Sequence, residues 1–135
     1  MIAVLLLLPC STMAHWTPKE IVSLSYPRLA LQARITGIVI VRVIVGTDGS
    51  VKEVAAVSGH PLLAQEAQRN ALNWKFEQSE ANRDTSNEVF IVYRFVVKGN
   101  CAGKNCRQGF MVEYPNFVVV SSEIPPIEVS QGKIQ

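Results

Sequence analysis

Apolar and polar positions change places most regularly between Gly37 and Gly59. Residues 38–45 carry one charge, Arg42, so both faces of this segment are largely apolar. That pattern predicts a strand covered on its two sides, or nearly so. Thr47-Asp48-Gly49-Ser50 supplies a tight joint, because Gly49 takes positive φ at no steric cost. A second strand follows, and the two make a hairpin. Val51 and Val54 are three apart where an undisturbed strand needs two, which predicts a bulge near Lys52 and Glu53.

Past Gly59 the period changes. Leu63, Ala67, Ala71 and Trp74 fall at i, i+4, i+8 and i+11, one face of a helix that starts at His60-Pro61. The small alanines let it lie close on a sheet. Upstream, Thr17-Pro18-Lys19-Glu20 has the form of a helix start, with a Thr cap, Pro at the first helical position and Glu three after the cap. Pro27 opens a further helical turn whose apolar side is Leu29, Ala30 and Ala33. Residues 77–87 are polar and read as a loop. Residues 88–98 make a third strand, with Val89, Ile91, Tyr93, Phe95 and Val97 on one face and Phe90, Val92, Arg94 and Val96 on the other. Residues 110–123 offer one or two more strands, stopped by Pro125-Pro126. The expected fold is therefore α+β: an antiparallel sheet of three to four strands against one main helix, plus a short N-terminal helical segment.

The chain has 135 residues, enough for one domain, and 48% of them are hydrophobic, so a packed core is expected. Net charge is +2, which gives no argument for a nucleic-acid or anionic-lipid partner; Arg69, Lys75 and Arg83 are scattered. Residues 1–14, MIAVLLLLPCSTMA, are uncharged, contain an unbroken apolar run and end on a small residue. They have the outline of a secretory signal peptide. An uncleaved hydrophobic anchor and a buried first helix are the competing readings, and a lipid on Cys10 is disfavoured by Pro9.

Cleavage after Ala14 would leave Cys101 and Cys106 as an even pair inside a glycine-containing loop, and a small disulfide-closed loop is the plain reading. Zinc is disfavoured by the C-x4-C spacing and by the distance of His15 and His60 in sequence. His60 reads as a helix cap, because nothing near it in sequence supplies a nucleophile and an orienting acid. Asp48, Glu53 and Glu66 sit on a turn or on solvated faces. No metal cluster, cofactor loop or small-molecule substrate site is expected, and the chain is not read as an enzyme.

Five motifs carry a family resemblance in order and in spacing: Tyr26-Pro27-x-x-Ala30, Gly37-x-Val39-x-Val41, Asp48-Gly49-x-Val51-x-x-Val54, Ser58-Gly59-His60-Pro61-Leu62-Leu63, and Ala67-x-x-x-Ala71-x-x-Trp74-x-Phe76. Together they resemble the C-terminal domain of the TonB family over about residues 26–98. The family usually has a glycine where this chain has Arg34. The resemblance implies a small periplasmic α+β unit that binds an extended peptide of an outer-membrane receptor, or another envelope protein, by adding it to the sheet edge. The implied edge is the third strand: Val89, Ile91, Tyr93, Phe95 and Val97, with Arg94 as a charge contact.

Full energy transducers of this family carry a membrane helix and a long proline-rich spacer, and neither is expected between Ala14 and the first predicted helix. The expected organisation is a signal peptide (1–14), a TonB-like domain (15–98), a cysteine loop with extra strand(s) (99–123) and a tail (124–135). The extra segment 117–122 suggests a capped edge, with the cysteine loop as its hairpin connection to the third strand. The alternative function is a structural or self-associating envelope protein, a homodimer that pairs through the same edge.

Overall fold

The computed structural model describes residues 16–78, 87–102 and 105–126. The expected signal peptide, most of the expected 77–87 loop and most of the expected tail lie outside the described residues. The elements run β1 (Trp16–Glu20), α1 (Arg28–Gln32), β2 (Gly37–Val45), β3 (Val51–Ser58), α2 (Pro61–Ala71), β4 (Lys75–Gln78), β5 (Glu88–Asn100), β6 (Gln108–Glu113) and β7 (Phe117–Ile124). Strands β1 and β4 form a two-stranded antiparallel sheet, and the other five form a mixed sheet in the order β3-β2-β5-β7-β6.

The central hairpin follows its pattern. Val39, Val41, Val43 and Val45 of β2 are buried on one face. Glu53 faces Ile44 and Val51 faces Val45, so Lys52 is the extra residue of a bulge, where the change of phase places it. The opposite face of β2 is less covered than expected: Ile38 is half exposed and Arg42 reaches solvent, where it pairs with Glu88 at 2.7 Å. Among the described residues, both helices and the two-stranded sheet contribute to the core on the valine face. Gly49 has φ +85°, and a Cβ there would fall on the carbonyl oxygen of Phe76. The joint therefore needs glycine for its conformation and for the close approach of β4.

Helix α2 lies across β2 and β3. Leu63, Ala67, Ala71 and Trp74 are all buried, and the His60 side chain caps the helix by accepting from Leu62 N–H at 3.2 Å. Helix α1 starts after Pro27 as expected, but its buried residues are Ala30 and Leu31, while Leu29 is exposed. One turn is too short to present a three-residue stripe. Arg34 follows at φ +57°, a left-handed conformation that costs a non-glycine residue about 1 kcal/mol.

The first expected helix is a strand. Trp16 and Pro18 alternate inward and face Gln78 and Phe76 of β4. Local capping signals are worth about 1 kcal/mol, and burying Trp16 outweighs them. The same pairing turns the start of the expected 77–87 loop into β4. The sheet is larger than expected, with five strands, because both extra segments join it. Strand β7 runs parallel to β5, and β6 pairs antiparallel to β7 on the outside. The cysteine loop therefore leads to β6, at the far edge, and is not a hairpin connection between β5 and β7.

Candidate peptide-binding edge

Strand β5 lies at the centre of the molecule. Ile91, Tyr93 and Phe95 are fully buried, and Val89 and Val97 are partly covered by the core. Tyr26 meets Phe95 edge-on, and Trp74 meets Tyr93 edge-on. Arg94 lies on the opposite face and is exposed, beside a shallow depression lined by Thr36, Ile38 and Val96. The six residues expected at the edge thus divide: five face the core and one faces solvent.

Their backbone is occupied on both sides. Strand β2 pairs with residues 88–95, and β7 pairs with Val92 through Asn100. Ahead of β7, Asn116 holds the start of the seam: its carbonyl accepts from Val92 N–H at 2.9 Å, and its side-chain amide donates to the Phe90 carbonyl at 2.7 Å. At the other end, Cys101 N–H donates to the Ile124 carbonyl at 2.9 Å, and Cys101 is disulfide-bonded to Cys106. The expected strand on this edge is present and comes from the chain itself. It buries Val118 and Val120 completely.

Asn70, unremarked in the sequence, organises the interior below the edge. Its Oδ1 accepts from Trp74 Nε1–H at 2.8 Å and from the Tyr93 hydroxyl at 2.9 Å. Its amide donates to the carbonyls of Val22, at 2.8 Å, and Ser23, at 3.2 Å. A polar residue on a helix reads as solvent-facing, yet position 70 lies three after Ala67 and so borders the buried face. That spacing was the available signal.

Burial holds the Tyr93 phenol far above its ordinary value of 10, and Tyr26 is raised for the same reason. The folded state thus keeps a proton that the unfolded chain loses near pH 10. The stability contributed is complete below pH ~10 and is lost above it, at ~1.4 kcal/mol per pH unit for Tyr93. Urea midpoints taken at pH ~9 and ~11 are expected to show this fall, with Tyr26 adding to it in the same direction. A flat profile would mean that both rings can ionise in place.

Among the described residues no group of three His, Cys, Asp or Glu side chains could hold a metal ion, and no helix is long and apolar enough to cross a membrane. The family model for the Gram-negative bacterial TonB protein C-terminal region matches residues 22–97. The chain belongs to the TonB C-terminal domain family. This is a non-catalytic family of periplasmic domains that generally contact outer-membrane receptors, and membership implies a role in TonB-dependent energy transduction. The solution NMR structure of the Pseudomonas aeruginosa TonB C-terminal domain is similar, at 22% identity and a TM-score of 0.44, over 62% of this chain and 88% of that one. No curated protein matches. The family region of this TonB-type domain ends within β5, so β6 and β7 lie beyond it.

Proposed function

We propose that this TonB-type domain is a periplasmic protein-binding module that acts in TonB-dependent transport. It takes up an extended segment of an outer-membrane receptor, or of another envelope protein, as a strand along β5. The observation that carries this reading is the seat of β7: a segment outside the family region already lies there as an added strand, Phe117 opposite Val92 and Ser122 opposite Val97. An incoming peptide competes with that strand. Two valines leave the core when β7 lifts, at roughly 1.5–3 kcal/mol each. A peptide therefore binds the whole chain far more weakly than it would bind a bare edge.

The competition gives the test. Asn116→Ala removes a clamp to Phe90 at the start of β7 and touches no core side chain, and it should cost β7 about 1 kcal/mol. A peptide from the periplasmic N-terminal segment of a TonB-dependent receptor is expected to bind this variant about fivefold more tightly than the unsubstituted chain. NMR shifts along residues 92–98, with loss of amide protection in β7, would accompany binding. Equal affinity for both proteins, or shifts confined to another strand, would remove β5 as the site.

A further inference from the structure

The mixed sheet has two outer strands, β3 and β6, and they are built differently. Strand β3 is irregular: its pairing with β2 slips twice, and it carries Lys52 and Glu53. Bulges and charges of this kind keep an outer strand from pairing further. Strand β6 has no bulge, and its one charge, Glu113, is its last residue. Its register with β7 is unbroken from Gln108 opposite Ser122 to Glu113 opposite Phe117, and it contains no proline or lysine. Met111 projects into solvent, and Phe110 and Val112 are only partly covered.

The direction of its free backbone groups can be read from one bond. Arg107 C=O accepts from Glu123 N–H at 3.0 Å, so Arg107 points its backbone groups towards β7. By the alternation of an antiparallel ladder, Gly109, Met111 and Glu113 point the same way. Gln108, Phe110 and Val112 then present their N–H and C=O groups outward.

A strand with that pattern can pair with its own copy about a two-fold axis only in certain registers. The register centred on Phe110 uses every outward residue: Phe110 faces Phe110 of the second copy, and Gln108 and Val112 exchange bonds with Val112 and Gln108 of the second copy. Neighbouring registers centred on Gly109 or Met111 leave outward groups of β6 without a facing β6 residue.

The same register matches the side chains. Arg107 comes opposite Glu113 of the second copy, and Glu113 opposite its Arg107. Both side chains are exposed, and neither takes part in an ion pair among the described residues. Exposed Met111 comes opposite Gly109 of the second copy, where no side chain competes for the space. On the core-facing side the half-covered Phe110 rings meet across the axis, a pairing that aromatic residues favour.

We propose that two copies of this chain associate through antiparallel β6–β6 pairing centred on Phe110, giving a two-fold dimer with one continuous sheet. This is a closed, self-complementary contact. It uses an edge distinct from β5, so it stands or falls separately from peptide uptake.

Sedimentation equilibrium of the full chain between ~1 μM and ~1 mM tests it, and a reversible monomer–dimer equilibrium is expected in that range. Arg107→Glu turns two attractive pairs into two repulsive ones and should weaken the dimer about tenfold or more; Glu113→Arg should do the same. The double variant R107E/E113R restores opposite charges in this register alone and should return the affinity to within about threefold of the original. A monomer throughout the range overturns the proposal. So does a dimer indifferent to the single reversals, or one that the double variant fails to restore.

Discussion

Replacing Asn70 by leucine is expected to cost about 3–5 kcal/mol of stability, read from urea unfolding of the two proteins side by side. Leucine keeps the branched outline and the four side-chain heavy atoms of asparagine but carries no donor or acceptor, so the loss is chiefly that of the hydrogen bonds. Trp74 Nε1–H and the Tyr93 hydroxyl both lose their acceptor. Neither can turn to water, because both rings are buried. Each unsatisfied buried group costs about 1–3 kcal/mol. The carbonyls of Val22 and Ser23 lose their donor as well, but Val22 is exposed and water can replace it there. A loss below about 1 kcal/mol would show that these bonds do not contribute as their geometry implies.

Truncating Trp74 to alanine is expected to cost about as much, roughly 3–5 kcal/mol, for a different reason. The indole is 1% exposed and contacts the rings of Phe76 and Tyr93. Its removal leaves a cavity between the end of α2 and the sheet, and the aromatic neighbours cannot close it without leaving their rotamers. Thermal unfolding of the variant would measure the cost, and a change below about 2 kcal/mol would mean that the site collapses around the gap. The two substitutions share the Asn70–Trp74 hydrogen bond. The double variant should therefore lose less than the sum of the singles, and the shortfall reports that bond.

Periodicity made the centre of this molecule legible. The valines of β2, the aromatic face of β5 and the alanine face of α2 follow from periods of 2 and 3.6, and the Lys52 bulge follows from a change of phase. Strand β1 was hidden because Thr17-Pro18-Lys19-Glu20 satisfies every local rule for starting a helix, while its true partner lies at Lys75–Gln78. Nothing local encodes such a pairing.

The edge of β5 was legible as a strand, and its occupation from within was legible as a possibility raised by residues 117–122. The parallel direction was not. A reader expects successive strands to meet as neighbours, whereas here β6 passes to the outside first and β7 returns into the gap. Asn70 was missed because residue type argued for solvent and only its spacing argued for the interior.

The two ends of β7 are held by different means. Near Ile124 the chain is stapled: Cys101, at the end of β5, and Cys106, just before β6, are joined covalently, and Ile124 and Glu123 bond to Cys101 and Arg107 on either side. At Phe117 the strand pairs with Val92 and Glu113, and Asn116 adds hydrogen bonds to Phe90 and Val92. The disulfide thus ties β5 to β6, the two strands that flank β7, and fixes their spacing at the Ile124 end. The covalent link of β7 itself lies at its other end, where residues 114–116 join it to β6, so sulfur sets the width of the slot and the turn tethers the strand that fills it.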